Sequence, residues 1–202
     1  MRRVLAPLIV LALVASAWAQ QSPQTYLSDI ASNPASTGGK ARLLHYLSQD
    51  MPIAVYVPPA PHGNGQAMRA AVIRAVKAWQ QAAPDILHFV VVGEPSADAV
   101  VVHWQDLSDK VASYRYAYSV TQQNQYRFHT TEVLLDPRFE PQKIYRYALL
   151  AFGQAVGMLG RSPYSGDALS ATPSGTISKR DVATLRALYA VPSGTVVEPQ
   201  GG

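Results

Sequence analysis

Cysteine is absent from this chain of 202 residues. That excludes a disulfide framework, a thiolate zinc site and a cysteine nucleophile. Charge is scarce too: Asp, Glu, Lys and Arg make up 15% of the chain, against a usual share of about 25%. A disordered polyelectrolyte is thereby excluded, and 48% hydrophobic residues leave ample apolar surface for a core. There is no basic surplus to suggest nucleic acid. The formal charge is +4, but with Arg2 and Arg3 set aside as part of a leader, 15 basic residues face 13 acidic ones. Long hydrophobic runs are missing as well. Val4–Val14 contains Pro7 and Ala148–Leu159 contains Gln154, and both fall short of the ~20 residues a membrane span needs. Neither a Walker loop, a G-x-G-x-x-G loop nor a G-x-S-x-G elbow occurs.

What is present begins with an address. Met1-Arg2-Arg3, the apolar run after it and Ala17-Trp18-Ala19 form the pattern of a secretory signal peptide over residues 1–19, cut after Ala19. The expectation is an exported protein, secreted or held in the periplasm or cell envelope. Residues 20–50 open with a stretch rich in Gln, Ser, Pro and Gly and read as a loose arm, with a short helix at Ala41–Ser48. Residues 51–190 form the expected domain, and residues 191–202 a flexible tail.

Within the domain, Pro52–Val57 alternates as a strand. Met68, Val72, Ala75, Val76 and Trp79 share one face of an amphipathic helix over Gln66–Ala83, with Asn64 positioned as its N-cap. Strands are expected at Leu87–Val92, Ala99–Trp104, Tyr114–Thr121 and Thr131–Leu135, and a buried helix at Gln142–Leu159. After a Gly/Ser/Pro-rich loop, Ser178 and Asp181 have capping-box spacing at the head of a third helix running to about Ala190. This order of elements gives an α/β or α+β fold.

Four segments together resemble the matrixin-like metzincin zinc metallopeptidases. They are the first strand Met51–Val57, the helix ending Ala75-Val76-Lys77-Ala78-Trp79 followed by Leu87-His88-Phe89-Val90, the stretch Ala97–Val102, and Asp181–Tyr189. The resemblance spans Met51 to Tyr189. It implies a twisted mixed β-sheet of about five strands, with a long first helix, a buried active-site helix and a C-terminal helix.

The family's site is H-E-x-G-H-x-x-G-x-x-H with a Met-turn beneath the metal; two histidines at i and i+4 bind zinc and the glutamate activates its water. Here the matching stretch runs from Leu150 to Arg161, and Gly153 and Gly157 keep the family's spacing. The chemistry does not follow. Leu150 takes the first ligand position, Ala151 the base, Gln154 the second ligand and Gly160 the third, or Arg161 if one residue is inserted. Leu169 takes the Met-turn position. No zinc or other cofactor is therefore expected, and no catalytic residue; the helix positions should repack as core, with Gln154 bonded to a neighbouring backbone group or lining a relict cleft floor.

The five histidines, His45, His62, His88, His103 and His129, show no metal-site spacing, and Asp98, Asp106 and Asp109 read as a solvated turn. Tyr114, Tyr116 and Tyr118 would share one face of a strand. In the family this resembles, substrate lies extended along the edge strand above the active-site helix, and Tyr114–Thr121 is the matching segment. Tyr114, Tyr116, Tyr118 and Gln154 are thus the candidate binding residues for an extended peptide or envelope component. An alternative has the arm covering this edge. Three readings of function stay open: a non-catalytic pseudopeptidase that binds a peptide, protein or envelope component; an active metallopeptidase with a noncanonical site; and a structural envelope protein.

Overall fold

A computed structural model describes residues 24–61, 63–122 and 125–197. The expected signal peptide, the first residues of the arm, His62 and the last residues of the tail lie outside the described residues.

The described chain is a mixed α/β fold with three α-helices and two sheets. A five-stranded sheet has the order β3-β2-β4-β6-β5. Its strands are β2 (Ile53–Tyr56), β3 (Phe89–Val92), β4 (Val100–Trp104), β5 (Ala112–Val120) and β6 (Tyr126–Leu135). β2 pairs in parallel with β3 and β4, and β4 with β6; β5 alone runs antiparallel, on the outer edge, as a hairpin with β6. The expected strand at Thr131–Leu135 is the end of a longer one. Tyr126–Thr130 joins it because pairing with β5 supplies the ladder that its polar sequence does not advertise.

Helix α1 (Gly65–Ala82) buries Met68, Val72, Ala75, Val76 and Trp79, the stripe its spacing predicts. Asn64 stands at its N-cap, but its side chain makes no capping bond. The Trp79 indole Nε1 donates to the Leu149 carbonyl at 2.8 Å, tying α1 to helix α2 (Pro141–Ala155). α2 stops four residues short of the expected end, because Gly157 takes φ +107° and turns the chain. Helix α3 (Lys179–Tyr189) starts on the capping box: Ser178 Oγ accepts from Asp181 N at 3.0 Å and Asp181 Oδ2 accepts from Ser178 N at 2.8 Å.

Three expectations need correction. The arm is not loose from residue 24 onward: Tyr26, Ile30, Leu43, Leu44 and Tyr46 are buried in the core. The expected helix at Ala41–Ser48 is absent: Arg42–Leu43 is strand β1, which pairs antiparallel with β7 (Thr195–Val196), and Ser48 only opens a short 3-10 turn, Ser48–Asp50. That pairing also corrects the tail, which is held as far as Val197 by Gly194 N to Leu43 O and Val197 N to Ala41 O. The physical reason is the same throughout. A few apolar and strand-forming residues in a polar stretch find partners far along the chain, as Ile30 does at Leu159 and Leu43 at Thr195, and composition averages them out.

Candidate functional site

The site positions lie where α2 ends beneath the β5 edge. Leu150 and Ala151, where the resemblance puts the first ligand and the base, are fully buried in the core. Gln154 is 6% exposed, and its Nε2 donates to the Gly160 carbonyl at 3.3 Å. It bonds a neighbouring backbone group and closes the turn between its own helix and the third-ligand position. Gly153 lets the chain close up beneath it: a Cβ there would stand 2.6 Å from Leu169 Cδ1 and 2.8 Å from Trp79. Leu169, at the Met-turn position, is itself fully buried.

Gly160 carries no side chain because its space is taken. A Cβ on it would overlap the carbonyl oxygen of Asp29 in the arm, and one on Gly157 would overlap that of Leu44. The arm thus lies directly on Gly160, and beside it Leu159 N donates to Ile30 O at 3.0 Å. It is anchored by a buried polar cluster. The Tyr26 hydroxyl donates to Asp181 Oδ1 at 2.5 Å, and Tyr26 N donates to Thr184 Oγ1 at 3.2 Å. Asp181 Oδ2 also accepts from Ala168 N at 2.9 Å, so the arm, the Asp167-Ala168-Leu169 segment and α3 meet at one carboxylate. Burial, reinforced by that carboxylate, pushes the Tyr26 phenol well above its ordinary pKa.

This donor set does not fit zinc. Leu150, Ala151 and Gly160 offer no lone pair from a side chain, Gln154 is a poor ligand and is already bonded, and Arg161 brings a like charge. Among the described residues, no group of three or more His, Asp or Glu side chains is placed to hold a metal. His45 is buried, with its ring nitrogens 2.8 Å from the Tyr46 and Val191 carbonyl oxygens; His88 and His103 are exposed and His129 is half-buried. Asp106 accepts from Ser108 N and pairs with Arg138 at 2.8 Å.

The rim of the site is different. Tyr114, Tyr116 and Tyr118 do share one face of β5, half-buried, alternating with more exposed Arg115, Ala117 and Ser119. Their hydroxyls are already engaged by the chain itself. Tyr114 donates to Leu159 O at 2.6 Å, Tyr116 lies 2.9 Å from Ser36 Oγ, and Tyr118 donates to Ser36 O at 3.1 Å. The expectation that these side chains present open contacts to a ligand is corrected: the arm and the α2 turn hold their tips. Burial raises the Tyr114 phenol above its ordinary range.

The arm stops at the tyrosine tips and does not pair with the strand. The β5–β6 register and the bonds Thr121 N to Gln125 O and Asp136 N to Val111 O set which backbone groups face β6. Ala117 and Ser119 turn inward to β6, while Tyr114, Tyr116, Tyr118 and Val120 turn N–H and C=O outward. Among the described residues no backbone group pairs with that outward row. A groove of 550 Å³ runs beside it, lined by Ser36, Tyr114, Arg115, Tyr116, Ala117 and Tyr118. A 660 Å³ cleft elsewhere, lined by His45, Asp85, His88 and Tyr189 among others, shares none of these residues.

Reasoning from sequence missed Ser36, Asp29 and the Tyr26–Asp181 anchor. A signal existed in Tyr26, Leu27 and Ile30, three large apolar residues within five positions of a mostly polar stretch. Among the described residues no helix is long and apolar enough to cross a membrane. No protein-family model matches this chain, and no curated protein sequence matches it.

Proposed function

We propose that this is an exported, non-catalytic protein of matrixin-like metzincin type, a pseudopeptidase that binds an extended peptide or envelope component by strand addition to the outer edge of β5. The observation that carries the reading is the outward row of backbone groups at Tyr114, Tyr116, Tyr118 and Val120 above a helix whose ligand and base positions are filled by core. An unpaired edge offers donors and acceptors to a strand without needing metal or side-chain chemistry. The family resemblance is supported by the five-stranded mixed sheet, the chain turn at Gly157 and the packing of Leu169 beneath Gly153.

Proline decides the binding half of the proposal. Val120 is 50% exposed and turns its N–H outward, so Val120→Pro removes an outward donor and spares the β6 ladder. The expected result is binding of random acetylated, amidated hexapeptides to the unaltered protein, seen as amide shifts confined to β5, and loss of those shifts in Val120→Pro. Shifts that persist in the variant would overturn strand addition. The catalytic half is tested by purification in the presence of zinc: the reading expects no stoichiometric zinc and no cleavage of casein, and one equivalent with chelator-sensitive proteolysis would contradict it.

A further inference from the structure

Arg161, at the turn after α2, differs from several other arginines in lacking a carboxylate partner among the described residues. Arg115 and Arg127 are each paired with a carboxylate at 2.7 Å, and Arg138 and Arg180 also have acidic partners within 4.0 Å. Arg161 has none: among the described residues its guanidinium makes one long hydrogen bond, from an Nη to Ser170 O at 3.4 Å. The residue is exposed, yet its charge is partly desolvated and sits within electrostatic reach of the Tyr147 and Tyr114 hydroxyls. The loop beneath is fixed by the Ser162–Ser170 bridge and by Ser162 N donating to Leu169 O at 2.9 Å. A guanidinium with most of its N–H groups unused, on a fixed loop and in a partly dry setting, suits a planar anion.

Its position gives the anion an origin. Tyr114 donates to Leu159 O, two residues before Arg161, so Arg161 lies at the Tyr114 end of the open edge. A strand added antiparallel to β5 has its C-terminal end there. A parallel strand would bring its N-terminal end, and an ammonium would meet a guanidinium. We propose that Arg161 is the anchor for a carboxylate at the C-terminal end of a peptide strand added antiparallel to β5, and that this contact sets the peptide's direction. The carboxylate is either the free C-terminus or the side chain of an Asp or Glu at that end. The inference rests on the strand-addition reading and adds polarity and ligand chemistry to it.

The test uses the whole purified protein and three pools of acetylated random hexapeptides: one with free C-termini, one amidated and containing Asp and Glu, and one amidated and lacking both. Retained peptides are identified by mass spectrometry after size-exclusion separation. The first two pools are expected to be retained about tenfold better than the third, as one charge-assisted bidentate contact allows. In the amidated acidic pool, Asp and Glu are enriched near the C-terminal end. Arg161→Gln brings all three pools to the level of the third, and near-ultraviolet circular dichroism checks its fold. Equal retention of all pools by the unaltered protein overturns the carboxylate anchor and leaves strand addition standing. Retention of none overturns both. A preference that survives in Arg161→Gln places the anion elsewhere and overturns the assignment.

Discussion

The floor and the rim of the candidate site behave in opposite ways. On the floor, Leu150, Ala151 and Gln154 are buried and the arm's backbone occupies the space above Gly160. On the rim, Tyr114, Tyr116, Tyr118 and Val120 of β5 turn backbone groups outward without a backbone partner among the described residues. The difference lies in what each depends on. Metal binding and water activation need particular side chains at particular positions, so a few apolar replacements turn an active-site helix into core. Strand pairing needs only N–H and C=O, which every residue except proline carries in full. Side-chain chemistry can therefore be absent at a handful of buried positions while an open strand edge remains beside them.

The most damaging way to probe the floor is Gly157→Ala. The φ of +107° and the Leu44 carbonyl against that site leave no room for a Cβ, and the expected loss is about 3 kcal/mol or more by urea denaturation. A near-unchanged midpoint would mean that the turn and the arm are not packed together. Leu150→His follows. Replacing a buried leucine with an imidazole that has no partner should cost ~3 kcal/mol without creating a zinc site. An unchanged thermal midpoint would place residue 150 in an open cleft and reverse the contrast between floor and rim.

Tyr26→Phe separates the arm from the rest. It deletes the hydroxyl bonded to Asp181 and leaves the ring, so a loss of ~2 kcal/mol is expected. Limited proteolysis should then cut the arm faster than the domain; equal rates would show that the anchor does not govern the arm.

A smaller effect concerns support of the rim. Asp136, fully buried, accepts from the Arg138 guanidinium and from Leu107 N, and its own N–H donates to Val111 O beside β5. The Arg138 hydrogen bonds hold its carboxyl down to about 2. A depressed carboxyl contributes stability that is full above the unfolded value near 4 and lost as pH falls toward 2. Acid titration of Asp136→Asn against the unaltered protein should show a stability gap at pH 5 that narrows across that window. A gap independent of pH would assign the effect to the lost hydrogen bonds alone.

The legibility of the molecule follows the range of the interactions. The α1 stripe and the Ser178/Asp181 box were readable because their partners lie within a turn or two of helix. The burial of Leu150 and Ala151 was readable because apolar residues at those positions have no other use. The bond from Gln154 to Gly160 O needed the turn at Gly157, whose φ is a tertiary outcome. Least readable was the arm: Tyr26 is fixed by Asp181 and Thr184, more than 150 residues away, and Ile30 by Leu159. Polar composition in residues 24–40 hid two anchors that a residue-by-residue reading would have flagged.

Amide hydrogen exchange measured residue by residue tests the contrast most directly. The account predicts fast exchange at Tyr116, Tyr118 and Val120, slow exchange at Ala117 and Ser119, and strong protection at Leu150, Ala151 and Gln154. Uniform protection along β5, lost on deletion of residues 24–40, would instead make the arm the strand's partner and contradict an open rim.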